Sequence, residues 1–245
     1  MYTPPLHHPV LPMQVQSEVD RLKLVYREYG ERGLGKTKWS LANRGNQAIR
    51  QERDRKLAQL LQRAGFLPLD ARRILDVGCG TGETLAGFET WGARPENLFG
   101  VDLLADRIRR AKETFPALNF QEANAEALPS ENGFFDLVAV FTVFTSILDL
   151  QMTRNLSREI NRVLRSGGAV VWYDFRMNNP FNPHVRGISR NGIRQLFPEF
   201  DARLVSITVM PPLARRCSSL TDLLYPCLAT LPFLRSHYLG LLVKP

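Results

Sequence analysis

Two stretches of this 245-residue chain concentrate residue types that can do chemistry. In the first, ILDVGCGTGETL at residues 74–85, an apolar run carries Asp76 and is followed by glycine at 78, 80 and 82. Glycine after a strand lets bare backbone approach a ligand closely. That ligand is not a pyrophosphate, because the dinucleotide pattern needs Gly or Ala where Glu83 stands, and a glutamate there would repel phosphate. It is not a nucleoside triphosphate either, since no Gly-Lys-Ser/Thr follows. A second carboxylate, Asp102, ends the next apolar run, twenty residues after Gly82. An acid at that place can accept from both hydroxyls of a ribose; its other reading is a helix cap for the segment beginning at Leu104.

A ligand with a ribose, a cationic amino group and no phosphate suits this pair, and S-adenosyl-L-methionine has all three properties. LDVGCGTG followed by VDLLADRI resembles motifs I and II of the class I S-adenosylmethionine-dependent methyltransferases. The similarity continues in order through ANAEALP, FFDLVAVFT and INRVLRSGGAVVWYDF, spanning residues 75–175. The resemblance implies a Rossmann-like, doubly wound α/β fold: a mostly parallel seven-stranded sheet with an antiparallel last strand, here with an N-terminal helical extension. It implies that Gly78, Cys79, Gly80, Thr81 and Gly82 line the methionine end, with Asp76 near the amino group. Asp102 then holds the ribose, Leu103 packs on the adenine, and Asn124 and Ala125 meet the adenine edge. The family more often has Asp-Ala at the last pair, but an amide oxygen can also accept from an exocyclic amine. Phe141 and Thr142 would lie beneath the sulfur. Asp136, at the start of the same strand, reads as fixing local geometry.

The second stretch is WYDFRMNNPFNPHVRGISR, residues 172–190. It gathers Tyr173, Asp174, Arg176, Asn178, Asn179, His184 and Arg186 at what would be the ligand-binding edge of an open α/β sheet. Asp174 or His184 could serve as general base, and Arg176 or Arg186 could clamp an anionic acceptor. The asparagine-proline pairs could equally do no more than build turns, leaving His184 exposed to solvent. His7, His8 and His237 are weaker candidates. Tyr26, Tyr29, Trp39 and Asn43 come from the N-terminal segment and could face the acceptor, although Tyr26 reads more simply as helix packing. The Asn/Asp-Pro-Pro-Tyr/Phe signature of amino-group methylation is missing where FTVFTS stands. The leading acceptor class is therefore a small molecule, sugar- or lipid-linked. Residues 171–183 and the tail LPFLRSHYLGLLVKP also look similar to methyltransferases that accompany polysaccharide-building enzymes.

These groups need elements to position them. Short apolar segments at residues 73–77, 97–102, 118–123, 135–142 and 168–175 read as strands. Helical patterns at 83–91, 104–114 and 152–164 lie between them, an alternation that points to a parallel sheet covered on both faces. Apolar spacing also predicts helices over 15–29 and 46–64. Two late strands at 202–210 and 238–244 flank an apolar helical stretch, 220–234, which reads as a buried helix between strands; a rest on a membrane surface beside Arg215 and Arg216 is the alternative. Residues 1–70 are taken as a helical extension or lid, and 71–245 as the methyltransferase domain.

Composition narrows the class. Lys and Arg outnumber Asp and Glu fourteen to seven in residues 1–73, which carry most of the net charge of +8. That basic segment motivates RNA methylation as an alternative, but no aromatic-basic RNA-binding module accompanies it, so nucleic acid is disfavoured as partner. A non-catalytic cofactor-binding protein is a further alternative. Cys79, Cys217 and Cys227 form neither a zinc pattern nor a disulfide framework, so no metal site is expected. No signal peptide or spanning segment is read, and a cytoplasmic setting is expected. Oligomeric state and the methylated atom are not readable.

Overall fold

The computed structural model describes residues 17–34, 37–180 and 182–245. His7, His8 and the first residues of the expected 15–29 helix lie outside them. Helix α1 (Glu18–Glu31) is opened by Ser17, whose side chain accepts from the Asp20 N–H. Helix α2 (Arg44–Arg63) is opened by Asn43, which accepts from the N–H groups of Gly45 and Asn46. Asn43 is thus a helix cap, and its amide also donates to the Arg215 carbonyl at 3.3 Å. These caps satisfy backbone donors that a helix start leaves open.

The core alternates as the sequence predicts. Strand β1 (Ile74–Val77), helix α3 (Glu83–Ala86), strand β2 (Leu98–Asp102), helix α4 (Ala105–Thr114), and strands β3 (Asn119–Glu122) and β4 (Phe135–Phe141) come first. Helix α5 (Leu150–Val163), strand β5 (Leu164–Phe175), helix α6 (Arg190–Leu196), strand β6 (Asp201–Val209), helices α7 (Pro211–Arg216) and α8 (Thr221–Thr230) and strand β7 (Arg235–Val243) complete the chain. The sheet order is β3-β2-β1-β4-β5-β7-β6. Strands β1 to β5 pair in parallel, while β7 is antiparallel to both β5 and β6. This is the Rossmann-like, doubly wound sheet the resemblance implies.

Period-two alternation assigns each strand residue to one of two cores. Val138, Val140 and Trp172 face one side with Leu156 and Ile160 of α5. Leu137, Ala139 and Val171 face the other with Leu85, Phe88 and Ile108. The first two helices divide between them: Leu22 of α1 enters the first core, and Leu57 and Leu61 of α2 enter the second. Burial on both faces is why the central strands read as near-continuous apolar runs.

The structure departs from expectation in three places. The 83–91 helix is α-helical only to Ala86 and continues as a tighter 3-10 helix over Gly87–Trp91. Helices α6 and α7 have seven and six residues, too short for apolar periodicity to declare them. The third departure is a correction. The 220–234 stretch is not buried between strands: α8 turns Thr221 and Tyr225 inward and leaves Leu223 68% exposed. The β6 and β7 strands are antiparallel neighbours, so their connection passes outside the sheet.

Candidate active site

The carboxyl ends of β1, β2, β4 and β5 meet at one edge of the sheet, and the glycine turn lies there. Gly78, Gly80 and Gly82 all take positive φ, at 72°, 58° and 91°. The turn is fastened to β2: the N–H groups of Gly78 and Cys79 donate to the Val101 carbonyl at 2.8 and 3.0 Å. The Gly80 N–H donates to Asp102 Oδ2 at 2.9 Å, and the Leu104 N–H to Asp102 Oδ1 at 2.9 Å. Asp102 therefore shapes the loop entering α4, as the capping reading holds, while a carboxylate keeps acceptor capacity beyond these two bonds. Arg107 lies 3.9 Å from it.

The three glycines are not equivalent. A methyl group on Gly78 would come within 2.9 Å of Val143 Cγ2, and one on Gly82 within 2.7 Å of Phe120 Cζ. On Gly80 it would meet nothing within 4 Å. Gly80 thus faces open space beside the turn, whereas the face of Gly82 is filled by Phe120 and Phe115, so its lack of a side chain serves packing. Cys79 points inward, its thiol buried and pushed upward in pKa by that burial. The Thr81 hydroxyl donates to Glu83 Oε2 at 2.7 Å.

Asp76 is the most informative group. It is 2% exposed, and among the described residues no protein donor hydrogen-bonds to its carboxylate. Burial pushes its pKa up to about 8, against the pull of Arg53, while Asp102 adds to the rise. A buried carboxyl without a donor costs free energy unless a ligand supplies one. Arg53 reaches this place from α2, its guanidinium 5.0 Å from the Phe141 ring centre and 5.7 Å from that of Tyr173. A shallow cleft adjoins it, lined by Arg50, Arg53, Asp54, Thr84, Trp91 and Phe141 among others.

Around this centre, Leu103 is half-buried against the first core, and Ala125 packs there as well. Asn124 Oδ1 accepts from the Glu126 N–H at 3.1 Å. Thr142 holds a positive φ of 56°, rare for a β-branched residue, and its N–H donates to the Tyr173 carbonyl at 2.8 Å. Asp136 accepts from Arg72, Arg165 and the Arg73 N–H, a structural cluster at the opposite end of β4.

Helix α1 lies across the same edge. The Tyr26 hydroxyl is 2.8 Å from Ser146 Oγ, and Arg107 sits 4.4 Å from the Tyr26 ring centre. Arg21 pairs with Glu18 and donates to the Ser146 carbonyl, and Glu18 accepts from the Leu148 N–H. Tyr29 exchanges hydrogen bonds with Asn182 at 3.1 to 3.3 Å and meets Trp39 edge-on at 5.5 Å. A second, shallow cavity opens between α1 and the loop after β5. Arg21, Leu22, Val25, Tyr26, Tyr29, Ser146, His184 and Val185 line it. Arg21 Nη1 is buried here with no hydrogen-bond partner among the described residues.

Several candidates from residues 172–190 are placed elsewhere. Asp174 is fully buried; its oxygens accept from the Thr145 hydroxyl, the Thr145 N–H and the Phe175 N–H, and burial pushes its pKa up to about 7. It pins the loop after β4 and has no exposed face toward an acceptor. The Tyr173 hydroxyl pairs with Thr208 Oγ1 at 3.0 Å, and its ring stacks on His237 at 4.6 Å. Both residues still belong to β5, so pleat alternation turns each into a core. His237 is buried, and burial lowers its pKa to about 3. Arg176 lies 5.8 Å from the Tyr238 ring centre. Asn178 Oδ1 accepts from the Gly187 N–H, the Asn179 carbonyl accepts from the Asn182 N–H, and the Arg186 N–H donates to the Thr145 carbonyl. These bonds fold the loop; of the loop residues named in advance, His184 alone lines the cavity under α1.

Sequence reasoning missed Arg21, Arg53, Arg107 and Ser146, which reach the site through tertiary packing. Glu52 left a signal: it stands on the apolar stripe of α2 with Gly45 and Ile49, and there accepts from the Thr208 N–H and the Tyr225 hydroxyl.

Comparison with known proteins agrees with this geometry. Residues 74–168 match the family model described as "Methyltransferase domain". Over these residues the chain is similar to the class I S-adenosylmethionine-dependent methyltransferases. It is 30% identical over 107 residues to the ubiquinone/menaquinone biosynthesis C-methyltransferase UbiE of Campylobacter jejuni, covering 42% of this chain and 44% of the relative. It is 32% identical over 135 residues to phthiotriol/phenolphthiotriol dimycocerosates methyltransferase 1 of Mycobacterium ulcerans, covering 54% and 48%. The chain thus spans about half the length of these curated relatives. Its fold is shared with the geranyl diphosphate C-methyltransferase of Streptomyces coelicolor, at a TM-score of 0.58 and 16% identity, covering 78% of this chain and 80% of that one. S-adenosylmethionine is the cofactor of this methyltransferase family, and the donor-free Asp76 beside the open face of Gly80 fits it.

Proposed function

We propose that this protein moves a methyl group from S-adenosylmethionine to a small-molecule acceptor, sugar- or lipid-linked. The observation that carries the reading is Asp76: a carboxyl buried beside a glycine turn, with no donor among the described residues and a cationic ligand group as its natural partner. Asp76 would receive the amino group of the methionine end, Gly78 and Gly80 would border it, and Asp102 would accept from the ribose. Leu103, Asn124 and Ala125 would bound the adenine, and Phe141 and Thr142 the sulfur. Bound there, the cofactor supplies an electrophilic methyl group. The chain's own residues hold the acceptor in line and exclude water, which accounts for much of the rate in a displacement of this kind.

The acceptor site is the cavity between α1 and the loop after β5. Tyr26 and Tyr29 offer aromatic walls, Arg21 Nη1 a donor without a partner among the described residues, and His184 an imidazole as general base. Asp174 serves instead as a positioning residue through Thr145. The relatives named for ubiquinone/menaquinone biosynthesis and for phthiotriol/phenolphthiotriol dimycocerosates support a small-molecule or lipid acceptor. Pairing of Arg32, Arg44 and Arg50 with carboxylates, and the partial burial of Arg21 and Arg53 in the site, supports ordinary helix faces rather than a nucleic-acid surface for the basic segment.

The test is incubation of cell extracts with deuterated-methyl cofactor, followed by mass spectrometry. A product carrying the heavy methyl in the small-molecule or lipid fraction supports the proposal. Label found only in RNA, or no cofactor binding by calorimetry, overturns it.

A further inference from the structure

Helix α8 is apolar on the side where a surface helix should be polar. Thr221 and Tyr225 face inward, yet Leu220, Leu223, Leu224, Cys227 and Leu231 form an outward stripe at helical spacing, all exposed. Phe233, 68% exposed, extends the stripe past the helix end. Trp39 and Leu41 are also exposed, on the segment that Asn43 fastens to the end of α7. Scattered apolar surface is ordinary, but a continuous stripe of large side chains marks a contact surface.

Charge decides the occupant. Arg215 and Arg216 precede the stripe, and Arg235 follows it, donating to the Ala229 and Thr230 carbonyls at the end of α8. Arg44 reaches the Ser219 carbonyl from the α2 side. Asp222 is the one acid in residues 202–245, and Arg44 pairs with it at 3.3 Å. A two-fold contact with a second copy would set this cationic border against itself. An anionic lipid surface complements both parts: its hydrocarbon takes the leucines and Phe233, and its headgroups take the arginines.

We infer that α8 and the turn after it lie in the plane of an anionic membrane, as a peripheral anchor. The placement extends beyond the methyl-transfer reading and does not depend on it.

The experiment is flotation of the full chain with vesicles of phosphatidylcholine, alone or with added phosphatidylglycerol. Retention on the anionic vesicles at low salt, weaker on neutral ones, is expected. The double substitution Leu223→Glu and Phe233→Glu should weaken retention roughly tenfold or more, since it removes two large apolar side chains from the lipid contact. Because both side chains are exposed, the thermal midpoint and S-adenosylhomocysteine binding should stay as in the parent, separating lost anchoring from lost fold or lost cofactor site. The inference is overturned by absence of retention on anionic vesicles, or by equal retention of the double variant. A dimer in light scattering that the same substitutions disperse, without vesicle binding, would instead assign the patch to a second copy.

Discussion

Asp76 ties ligand binding to pH. With its pKa raised to about 8 by burial, the carboxyl holds a proton at neutral pH, and a cationic amino group favours the ionised form. Binding therefore releases a proton, and affinity for S-adenosylhomocysteine should strengthen as pH rises from about 6.5 to about 8, then level off. Calorimetry in two buffers of different ionisation enthalpy would show the proton; Asp76→Asn should weaken binding about tenfold or more and remove the pH dependence. Without ligand the same group acts on stability. Asp76 and Asp174, raised to about 8 and about 7, hold protons in the folded chain that the unfolded chain loses near its ordinary carboxylate pKa. The unfolded state then binds fewer protons, so stability falls as pH rises. His237, depressed to about 3, acts oppositely, but only below its ordinary pKa of about 6.5. From about pH 6.5 to 8 the carboxyls act unopposed, and the thermal midpoint of the ligand-free protein should drop there, less so in Asp76→Asn. What was legible of the proposed cofactor half is its frame, the glycine turn and two strand-end acids, because these carry their meaning in local spacing. The acceptor half was not: Asp174 has the chemistry of a base, and only its register in β5 shows that it faces a core.

Helices α1 and α2 approach the sheet differently. Helix α2 commits Leu57 and Leu61 to the second core and Glu52 to a buried junction with β6 and α8. Glu52→Ala would strand the Thr208 N–H and the Tyr225 hydroxyl, at a cost of roughly 2–5 kcal/mol readable by denaturant unfolding. A chain reduced to residues 71–245 should fail to unfold cooperatively; cooperative unfolding of that piece, with cofactor affinity retained, would show that the extension is dispensable. Helix α1 adds to the Leu22 contact with the first core a set of polar stitches to residues 146–149. Tyr26→Phe removes one of them for about 1 kcal/mol, and faster amide exchange across residues 18–31 should follow while α2 stays protected.

Across the whole molecule, strand-helix alternation declared the parallel half of the sheet, because strands buried on both faces leave long apolar runs. The late half was less readable. Short helices leave no period, and α8 looks like a core helix in sequence because its outer face is as apolar as its inner one. The order of the strands has a consequence of its own. Strand β6 touches the rest of the sheet only through β7, which lies between it and β5. Removing β7 would therefore unzip two strands, not one, and would release the connection bearing α7 and α8 with them. Amides of 201–209 and 235–243 should accordingly open as a single unit in native-state exchange, like a door and its hinge leaving the frame together.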